Sequence, residues 1–548
     1  MELVNNNTNA IKLTTMKTHA IRTLLVLLLA TLVMAPQTKA QQTSSDTFTN
    51  PIGWADMPDP DVIRVGEYFY LVTTTMHLMP GAPVMRSKDL VNWELVSYLF
   101  DSIHETPKYD MEEGTVYGRG QWATSIRYKD GMFYAYFSPN DQPYRGFVYK
   151  TEDPAKGWTL HSRLRHFHDA SLFFDDDGKA YVFYGTGQLT ELKPDLTGVQ
   201  EGGIDTVVIR RDNVDNGLLE GSRVIKHNGK YYLLMISWPN GGKRRQLCYR
   251  ADKITGPYEK QTILLDNFAG FPYVGQGTIV DDTQGNWWGV IFQDRNGVGR
   301  VLTLSPCRWI DGWPMIGDEQ GKVPLTMRKP VLGEPDVPLV VSDDFDGTLK
   351  KEWQWNHNPL NDSWSVTERK GHLRLKTNKV VGNLYAARNT LTQRMQGPTC
   401  SGTIVMDIRR MKDGDCAGLA AFNGHSGVLT VQMEGKEKFL TMTAQEVFLT
   451  DREKAIRDVK SEERARIPLG KAKKIYLRVN ADFNLHRDIA TFEYSLDGKK
   501  WTSIGGDFKM IFDYRRLFMG TKFGIFCYAT KQSGGYVDID RFDYERGK

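Results

Sequence analysis

Five repeats of one short pattern constrain the fold of this chain more than any other feature. In each repeat a turn centred on a glycine leads into an aromatic segment with alternating residue character. The five turns are centred on Gly66, Gly131, Gly178, Gly229 and Gly285. Glycine-centred turns between aromatic and β-branched segments are the usual signal of a β-hairpin. The pattern recurs about every 50 residues, close to the period of propeller blades, so it predicts five blades of antiparallel sheet around a central pocket.

A second motif recurs out of phase with the glycine turns. In it a polar turn that contains an aspartate is followed a few residues later by Trp or Tyr. It occupies Ser87–Trp93, Thr151–Trp158 and Ala251–Tyr258. The alternation of the two motifs suggests an inner and an outer strand pair within each blade.

Three carboxylates stand in matching positions of this repeat. Asp59 lies in Met-Pro-Asp-Pro-Asp, Asp169 in Phe-His-Asp-Ala-Ser-Leu-Phe, and Glu220 in Leu-Leu-Glu-Gly-Ser-Arg. Each lies a few residues before a short aromatic strand pattern, so we expect all three at one end of the repeated β-structure. Two carboxylates placed across a sugar ring can hydrolyse a glycosidic bond as acid and base, and a third can tune the acid. These residues therefore point to glycoside hydrolysis.

Composition excludes several other classes of protein. The net charge is +4, and no basic face is clustered enough to suggest a nucleic-acid partner. The most basic run, Lys243–Arg245, is expected to be a solvated loop. The five cysteines lack CxxC spacing, which argues against a zinc site or a dense disulfide framework and leaves one disulfide in the C-terminal half open. Without a GxGxxG or a GxxxxGK[ST] motif, neither a nucleotide nor a redox cofactor is expected.

The N-terminus carries the pattern of an export signal. Basic residues precede an apolar run, Leu24–Ala35, which is followed by Thr-Lys-Ala ending at Ala40. Residues 1–40 are therefore predicted to be a cleaved secretory signal peptide. The run is shorter than the ~18 apolar residues of a membrane span, and no cysteine follows it to accept a lipid. We expect a periplasmic or secreted protein without a membrane anchor.

A proline-rich connection divides the rest of the chain. Its prolines, at 324, 330, 335 and 338, predict a semi-rigid linker over residues 326–340. The propeller domain is then residues 41–325, and a second domain is residues 341–548. Segments of period two, such as Leu373–Lys376 and Ile475–Val479, predict a β-sandwich there. The chain as a whole is expected to be all-β.

Residues ~49 to 320 resemble the family 43 glycoside hydrolases, and the second domain resembles the concanavalin-like sandwich attached to many members. The resemblance rests on the Pro-Asp-Pro around Asp59, the Asp-Ala-Ser-Leu-Phe from Asp169 and the Glu-Gly at Glu220. It implies an inverting hydrolase with Asp59 as base, Asp169 as modulator and Glu220 as acid. Asp59 must then be ionised while Glu220 is protonated, and the charge of Asp169 is expected to help keep Glu220 protonated.

The sequence departs from the family pattern in two places. Ala170 stands where the family usually has proline, which changes only backbone stiffness in a turn. The fifth blade reads Val274–Thr278, where many members carry a histidine that supports a central calcium or water cluster. A calcium ion on the propeller axis is therefore not expected.

Five further residues are predicted substrate contacts, each with a structural alternative. Trp122 matches the Trp-Ala segment of the family and is either an apolar wall of the pocket or core. Arg300 resembles the arginine that contacts sugar hydroxyls in related β-xylosidases, or forms a structural ion pair. Arg223 and His168 flank the acid and the modulator, and either contact substrate or only orient carboxylates. Asp56, ahead of the base motif, touches sugar or caps a turn.

No cofactor is expected to be required for catalysis. A structural calcium ion in the sandwich is one interpretation of its terminal aspartates, because such sandwiches often join their termini in this way. The alternative is that these are exposed strand residues. The aspartates are Asp344, Asp346, Asp538 and Asp540.

The resemblance implies an exo-acting enzyme that acts on oligosaccharides or polysaccharides. We expect it to remove terminal α-L-arabinofuranosyl groups from plant hemicellulose side chains of arabinoxylan or xyloglucan type. The alternatives are a β-xylosidase or bifunctional enzyme on xylo-oligosaccharides, and a carbohydrate-binding propeller that has lost catalysis. The third is disfavoured because all three carboxylates are present. Exo action is favoured because the sandwich can close one side of the pocket in family relatives.

Overall fold

The computed structural model of the protein describes residues 45–272 and 274–547. The predicted signal peptide falls outside these residues. Among the described residues the helices are short 3-10 turns, and none is long and apolar enough to cross a membrane. They are Pro107–Asp110, Pro154–Lys156, Asn296–Val298, Asn361–Ser363 and Leu384–Ala386.

Five four-stranded antiparallel sheets follow the first strand, β1 (Thr47–Thr49). Blade 1 contains β2 (Asp61–Val65), β3 (Tyr68–Val72), β5 (Gly81–Ser87) and β6 (Glu94–Phe100), with β4 (Leu78–Met79) outside the blade. Blade 2 contains β7 (Ser125–Lys129), β8 (Met132–Phe137), β9 (Arg145–Thr151) and β10 (Thr159–Arg165). Blade 3 contains β11 (Ser171–Phe174), β12 (Ala180–Tyr184), β13 (Gln188–Leu192) and β14 (Asp205–Val207). Blade 4 contains β15 (Leu218–His227), β16 (Lys230–Trp238), β17 (Arg245–Ala251) and β18 (Glu259–Leu264). Blade 5 contains β19 (Val274–Asp281), β20 (Trp287–Asp294), β21 (Arg300–Ile310) and β22 (Trp313–Ile316).

The five sheets form a closed ring. Their first strands, β2, β7, β11, β15 and β19, contact one another in that order, and β19 contacts β2. Each predicted glycine turn joins the first strand of a blade to the second, and all five glycines have φ between 62° and 84°. Open space lies where a side chain would stand at each of them. The prediction of a five-bladed propeller is therefore confirmed.

Aromatic side chains of neighbouring blades pack against each other and hold the ring together. Between blades 1 and 2, the Phe100 ring stacks on Phe137 with centroids 5.0 Å apart, and Tyr70 meets Phe133 edge to face at 4.8 Å. Such pairs contribute on the order of 1 kcal/mol beyond the apolar area that they bury. The aromatic repeat in the sequence thus supplies the contacts between blades.

The C-terminal strands form two packed sheets, which confirms the predicted sandwich. They are β24 (Gln354–Asn356), β25 (Trp364–Ser365), β26 (Leu373–Lys376), β27 (Leu391–Arg394), β28 (Thr399–Asp407), β29 (Asp415–Phe422) and β30 (His425–Glu434). The remaining strands are β31 (Glu437–Leu449), β32 (Ile456–Pro468), β33 (Lys474–Asp482), β34 (Ile489–Ser495), β35 (Thr502–Lys509), β36 (Lys522–Ala529) and β37 (Tyr536–Arg546). One sheet has the order β32-β31-β30-β29-β36-β27-β24-β4 and the other β25-β26-β37-β28-β33-β34-β35. A core of buried apolar side chains from both sheets lies between them.

The propeller and the sandwich are joined by backbone pairing as well as by the connection between them. Strand β4, from the propeller, extends one sandwich sheet by pairing with β24, where Met79 lies opposite Trp355. The predicted linker region contains β23 (Thr326–Arg328), which pairs with β1. Leu339 and Val340 are buried against blades 1 and 5. The connection is therefore held to the propeller at both of its ends, whereas most residues between Leu332 and Pro338 are exposed.

The structure bears on three expectations from the sequence: the basic run, the aspartates of the sandwich and the cysteines. Arg244, in the basic run, is buried and pairs with Asp294 at 2.8 Å, so the run is not simply a solvated loop. In the sandwich, Arg374 and Arg369 bond the carboxylate of Asp538, whereas Asp344 and Asp346 are exposed. The five cysteines are free and buried.

Candidate active site

The three carboxylates come together at the start of equivalent strands. Asp59 lies two residues before β2, Asp169 lies two residues before β11, and Glu220 is the third residue of β15. A histidine connects two of them, because Nε2 of His168 is 3.3 Å from Oε2 of Glu220 and 3.9 Å from Oδ2 of Asp169. Within the described residues, this trio is the one group of three or more histidine, cysteine or acidic side chains whose polar atoms lie within 4.8 Å of one another.

Unusual backbone geometry aims each carboxylate. Asp59 and Asp169 have φ of 55° and 46°, in the left-handed region that costs most non-glycine residues on the order of 1 kcal/mol. Glu220 stands at a β-bulge of β15, followed by Gly221 with φ 74°. A side chain at Gly221 would collide with Gln276, so the bulge requires glycine there. Bulges commonly redirect a side chain beside an active site.

Asp59 is buried and carries two specific partners. Thr74 donates its hydroxyl to Oδ2 at 2.7 Å, and Nη1 of Arg300 donates to Oδ1 at 3.2 Å. Burial raises the pKa of Asp59, and the guanidinium of Arg300 opposes that rise. Arg300 thus favours the ionised form that a general base needs.

Asp169 and His168 form an ion pair beside Glu220. Burial raises the pKa of Asp169, and the charge of His168 opposes that rise. The carboxylate of Asp169 is in turn the main reason that the pKa of His168 rises to about 9, and Glu220 adds to the effect. His168 therefore carries a positive charge at neutral pH.

Arg223 lies beneath the carboxylates and is fully buried, with none of its side chain exposed. Its guanidinium donates to the backbone carbonyls of Asp59 at 2.9 Å and Thr124 at 3.3 Å. It also lies 3.6 Å from the Asp61 carboxylate. Arg223 therefore connects the loops of blades 1 and 2 to blade 4, and it holds the segment that carries Asp59.

Asp56 lies where the propeller meets the sandwich. Its Oδ1 accepts the backbone N–H of Arg300 at 2.8 Å, and its Oδ2 accepts that of Gly520 at 2.9 Å. Side chains at Gly299 or Gly520 would collide with this contact. Both carboxylate oxygens of Asp56 thus accept backbone N–H groups. Because one belongs to Arg300 and the other to Gly520 of the sandwich, Asp56 fixes the position of Arg300 relative to the sandwich.

The sandwich contributes Phe518 to the site. The guanidinium of Arg300 lies 4.3 Å from the centre of the Phe518 ring, and its Nη2 donates to the Phe518 carbonyl at 3.3 Å. The Trp122 ring lies 5.7 Å from Phe518 and 5.5 Å from His168. The predicted Trp122, Arg300 and His168 are thus brought together with the carboxylates. Sequence reasoning missed Phe518, because no local motif indicates which sandwich loop reaches the propeller.

Below the carboxylates the propeller axis is polar and charge-balanced. Nη1 of Arg127 donates to Oδ2 of Asp61 at 2.6 Å, and Nη2 of Arg127 donates to Ser171 at 2.6 Å. In blade 5, Gln276 is buried and its Nε2 has no hydrogen-bond partner in the described part of the chain. The two hydrogen bonds of Arg127 join blade 2 to blades 1 and 3 around the axis.

A closed five-bladed propeller with three carboxylates gathered at one end of its channel defines a glycosidase, since paired carboxylates are what glycoside hydrolysis requires. The chain belongs to family 43 of the glycosyl hydrolases, whose model matches residues 48–314. The model of the beta-xylosidase C-terminal concanavalin A-like domain matches residues 342–545.

Individual relatives agree with this assignment. A putative beta-xylosidase of Xylanibacter ruminicola is 31% identical over 85% of this chain and 83% of that protein. A non-reducing end alpha-L-arabinofuranosidase of Bacteroides ovatus is 34% identical over 64% of this chain and 68% of that protein. Among solved structures, the bifunctional GH43-CE protein of Bacteroides eggerthii is 39% identical with a TM-score of 0.84, and the match covers 92% of this chain and 64% of that longer one.

Truncating Phe518 to alanine is expected to weaken binding of a terminal sugar. Phe518 is partly exposed, and a sugar that covers the rest of its ring should gain roughly 1 to 2 kcal/mol, so kcat/KM should fall roughly 5- to 30-fold, mainly through KM. Steady-state kinetics on an aryl glycoside measures this change. Ile511→Ala is the matched control, since Ile511 lies on the same loop but is 44% exposed. An unchanged kcat/KM in Phe518→Ala would mean that the sandwich does not contact the sugar.

Proposed function

We propose that this glycosidase is exo-acting and inverting, and that it releases terminal α-L-arabinofuranosyl groups from hemicellulose side chains. The observation that carries exo action is the position of Phe518. It brings the sandwich against Trp122 and Arg300, immediately beside the carboxylates. A site narrowed on that side suits the end of a glycan better than its interior.

In the proposed reaction Asp59 removes a proton from a water molecule as its oxygen attacks the anomeric carbon. Glu220 gives its proton to the glycosidic oxygen as the bond between that oxygen and the anomeric carbon breaks. Arg300 keeps the base ionised and holds it in place together with Thr74. Inversion requires space for the water between base and sugar.

A β-xylosidase, or an enzyme with both activities, is the second candidate. The relative in Xylanibacter ruminicola is named a putative beta-xylosidase, and the matching sandwich model is named for beta-xylosidases. The relative in Bacteroides ovatus supports the arabinofuranosidase instead. The two pentoses need the same acid and base, so the catalytic residues do not discriminate between them.

We further propose that the enzyme acts outside the cytoplasm after its leader is removed, without a required cofactor and without a membrane anchor. Export and the absence of an anchor are inferred from the sequence pattern of residues 1–40, and the absence of a required cofactor from the lack of nucleotide-binding motifs.

Substrate preference is tested with protein lacking residues 1–40 on 4-nitrophenyl α-L-arabinofuranoside and 4-nitrophenyl β-D-xyloside. We expect a higher kcat/KM on the arabinofuranoside, and NMR of the first-formed sugar should show inverted configuration. Faster hydrolysis of the xyloside would favour the second candidate. Absence of turnover on these substrates and on arabinoxylan oligosaccharides, in a folded protein, would instead favour a carbohydrate-binding propeller.

A further inference from the structure

His168 is the cation in direct contact with the acid. Its Nε2 lies 3.3 Å from Oε2 of Glu220. The other two guanidinium groups near the site are engaged elsewhere, since Arg300 pairs with Asp59 and Arg223 bonds backbone carbonyls. The charge that Glu220 experiences most closely is therefore that of an imidazolium.

The orientation of His168 is fixed before any substrate binds. The centre of its ring lies 5.5 Å from the centre of the Trp122 ring and 6.3 Å from that of His166, on which it stacks. Phe167, between the two histidines, points into the core and is almost fully buried. Alternation along this extended loop places both histidines on one side of it.

Asp169 and Glu220 face the same nitrogen of this ring, and the three groups lie within 4.8 Å of one another. Nε2 of His168 is 3.9 Å from Oδ2 of Asp169 and is nearer to Glu220. A carboxylate that holds an imidazole charged and oriented is a recurrent arrangement in catalysis. In this chain the positively charged His168 contacts both the modulating carboxylate, Asp169, and Glu220.

We propose that His168 is the positioning residue that links Asp169 to the acid. Its Nε2–H holds Oε2 of Glu220 and leaves the other oxygen to face the leaving group. The imidazolium then stabilises the carboxylate that appears when Glu220 releases its proton. This inference rests on the proposed function, in which Glu220 is the acid, but it does not depend on which pentose is released.

The step balances without a further reactant. The Glu220 proton goes to the glycosidic oxygen as that oxygen leaves with the bonding pair, and the attacking water gives its proton to Asp59. Proton exchange with solvent returns both carboxyl groups to their starting states. His168 keeps its own proton throughout, so the charge beside Glu220 is constant while Glu220 becomes negative.

The charged groups that face His168 determine the pH range over which its imidazolium stabilises the Glu220 carboxylate. Asp169, Glu220 and Asp59 raise its pKa to about 9, and burial opposes them. His166, stacked on the ring, is its other titratable neighbour, and the pKa of His166 is lowered by burial and by the charge of His168. A histidine with a raised pKa keeps its proton below that value, so the stabilisation persists through neutral pH and is lost as pH rises through about 9.

The test compares His168→Gln and His168→Phe with the wild type on aryl glycosides of graded leaving-group basicity and on an oligosaccharide. Both variants lose the positive charge beside Glu220, and His168→Phe also loses the hydrogen-bond donor, so kcat on poor leaving groups should fall roughly 10- to 100-fold, with a much smaller loss on 4-nitrophenyl substrates. The alkaline limb of the kcat profile should move to higher pH in both variants. His161→Gln is the matched control, since His161 lies in strand β10 just before this loop and its Nε2 bonds the backbone carbonyl of Asp195, away from both carboxylates.

An equal loss across all leaving groups, or an unmoved alkaline limb, would overturn the proposal. A second measurement does not depend on turnover. In NMR spectra of histidine-labelled protein, His168 should remain protonated at pH 8 in the wild type and become neutral there in Asp169→Asn. If it is neutral in both, the proposal fails. A wild type that hydrolyses no glycoside while His168 titrates as expected would remove the proposed function and not the coupling of Asp169 to His168.

Discussion

Replacing Asp59 by glycine is expected to lower kcat on every substrate by roughly 10²- to 10⁴-fold, the usual contribution of a general base. Glycine is the appropriate replacement because Asp59 has φ 55°, a conformation that glycine adopts without strain. The loss should be independent of the leaving group, since the base acts on water and not on the departing sugar. Steady-state kinetics with activated and natural substrates measures it.

Azide provides a second measurement on Asp59→Gly. Azide attacks the anomeric carbon without deprotonation, so it should restore turnover and give a glycosyl azide of inverted configuration. The wild type should lose activity on acidification at a higher pH than an exposed carboxylate would dictate, because burial raises the pKa of Asp59 and the base works only when ionised. The azide reaction of the variant should lack this acidic limb.

The matched control for this substitution is Asp130→Gly. Asp130 is also an aspartate with positive φ, 50°, but it is exposed in the hairpin turn between β7 and β8. Asp130→Gly should therefore behave as wild type in both rate and pH profile. Full activity of Asp59→Gly without azide would show that another group acts as the base.

The repeat made the propeller predictable from sequence. Each blade contributes a glycine turn whose conformation is local, so Gly66 and Gly285 are informative without knowledge of the rest of the fold. The same regularity places Asp59, Asp169 and Glu220 at the starts of equivalent strands, and the structure brings these strand starts together. Local signals repeated at a fixed period are thus enough to assemble a shared site.

The contacts between propeller and sandwich could not be predicted in this way. Asp56 bonds the backbone of Gly520, more than 400 residues away, and Phe518 reaches the site through a loop whose sequence has no recognisable motif. Strand β4 is only two residues long and forms because a sandwich strand lies beside it. These features depend on how two separate domains pack against each other. The alternation of apolar and polar residues and the residues of turns report only local structure, so they do not predict that packing.

Glu220→Gln is expected to separate substrates by their leaving groups. The amide preserves the shape of the side chain and can still contact His168, but it cannot give a proton to the glycosidic oxygen. On an oligosaccharide, whose leaving alcohol is basic, kcat should fall roughly 10²- to 10⁴-fold. On a 4-nitrophenyl glycoside, whose leaving group departs as a stable anion, the loss should be much smaller.

The alkaline limb of the pH profile should also disappear in Glu220→Gln on the activated substrate, because the variant has no acid to deprotonate. Glu259→Gln is the matched control, since Glu259 lies in the same blade and pairs with Arg250 at 2.6 Å. That variant should keep the wild-type ratio between the two substrates. An equal loss on both substrates in Glu220→Gln would assign Glu220 to holding the site and not to proton donation. The decisive quantity is the ratio of the loss in kcat on the oligosaccharide to the loss on the 4-nitrophenyl glycoside. Only an acid that acts on the leaving group makes the loss depend on leaving-group basicity.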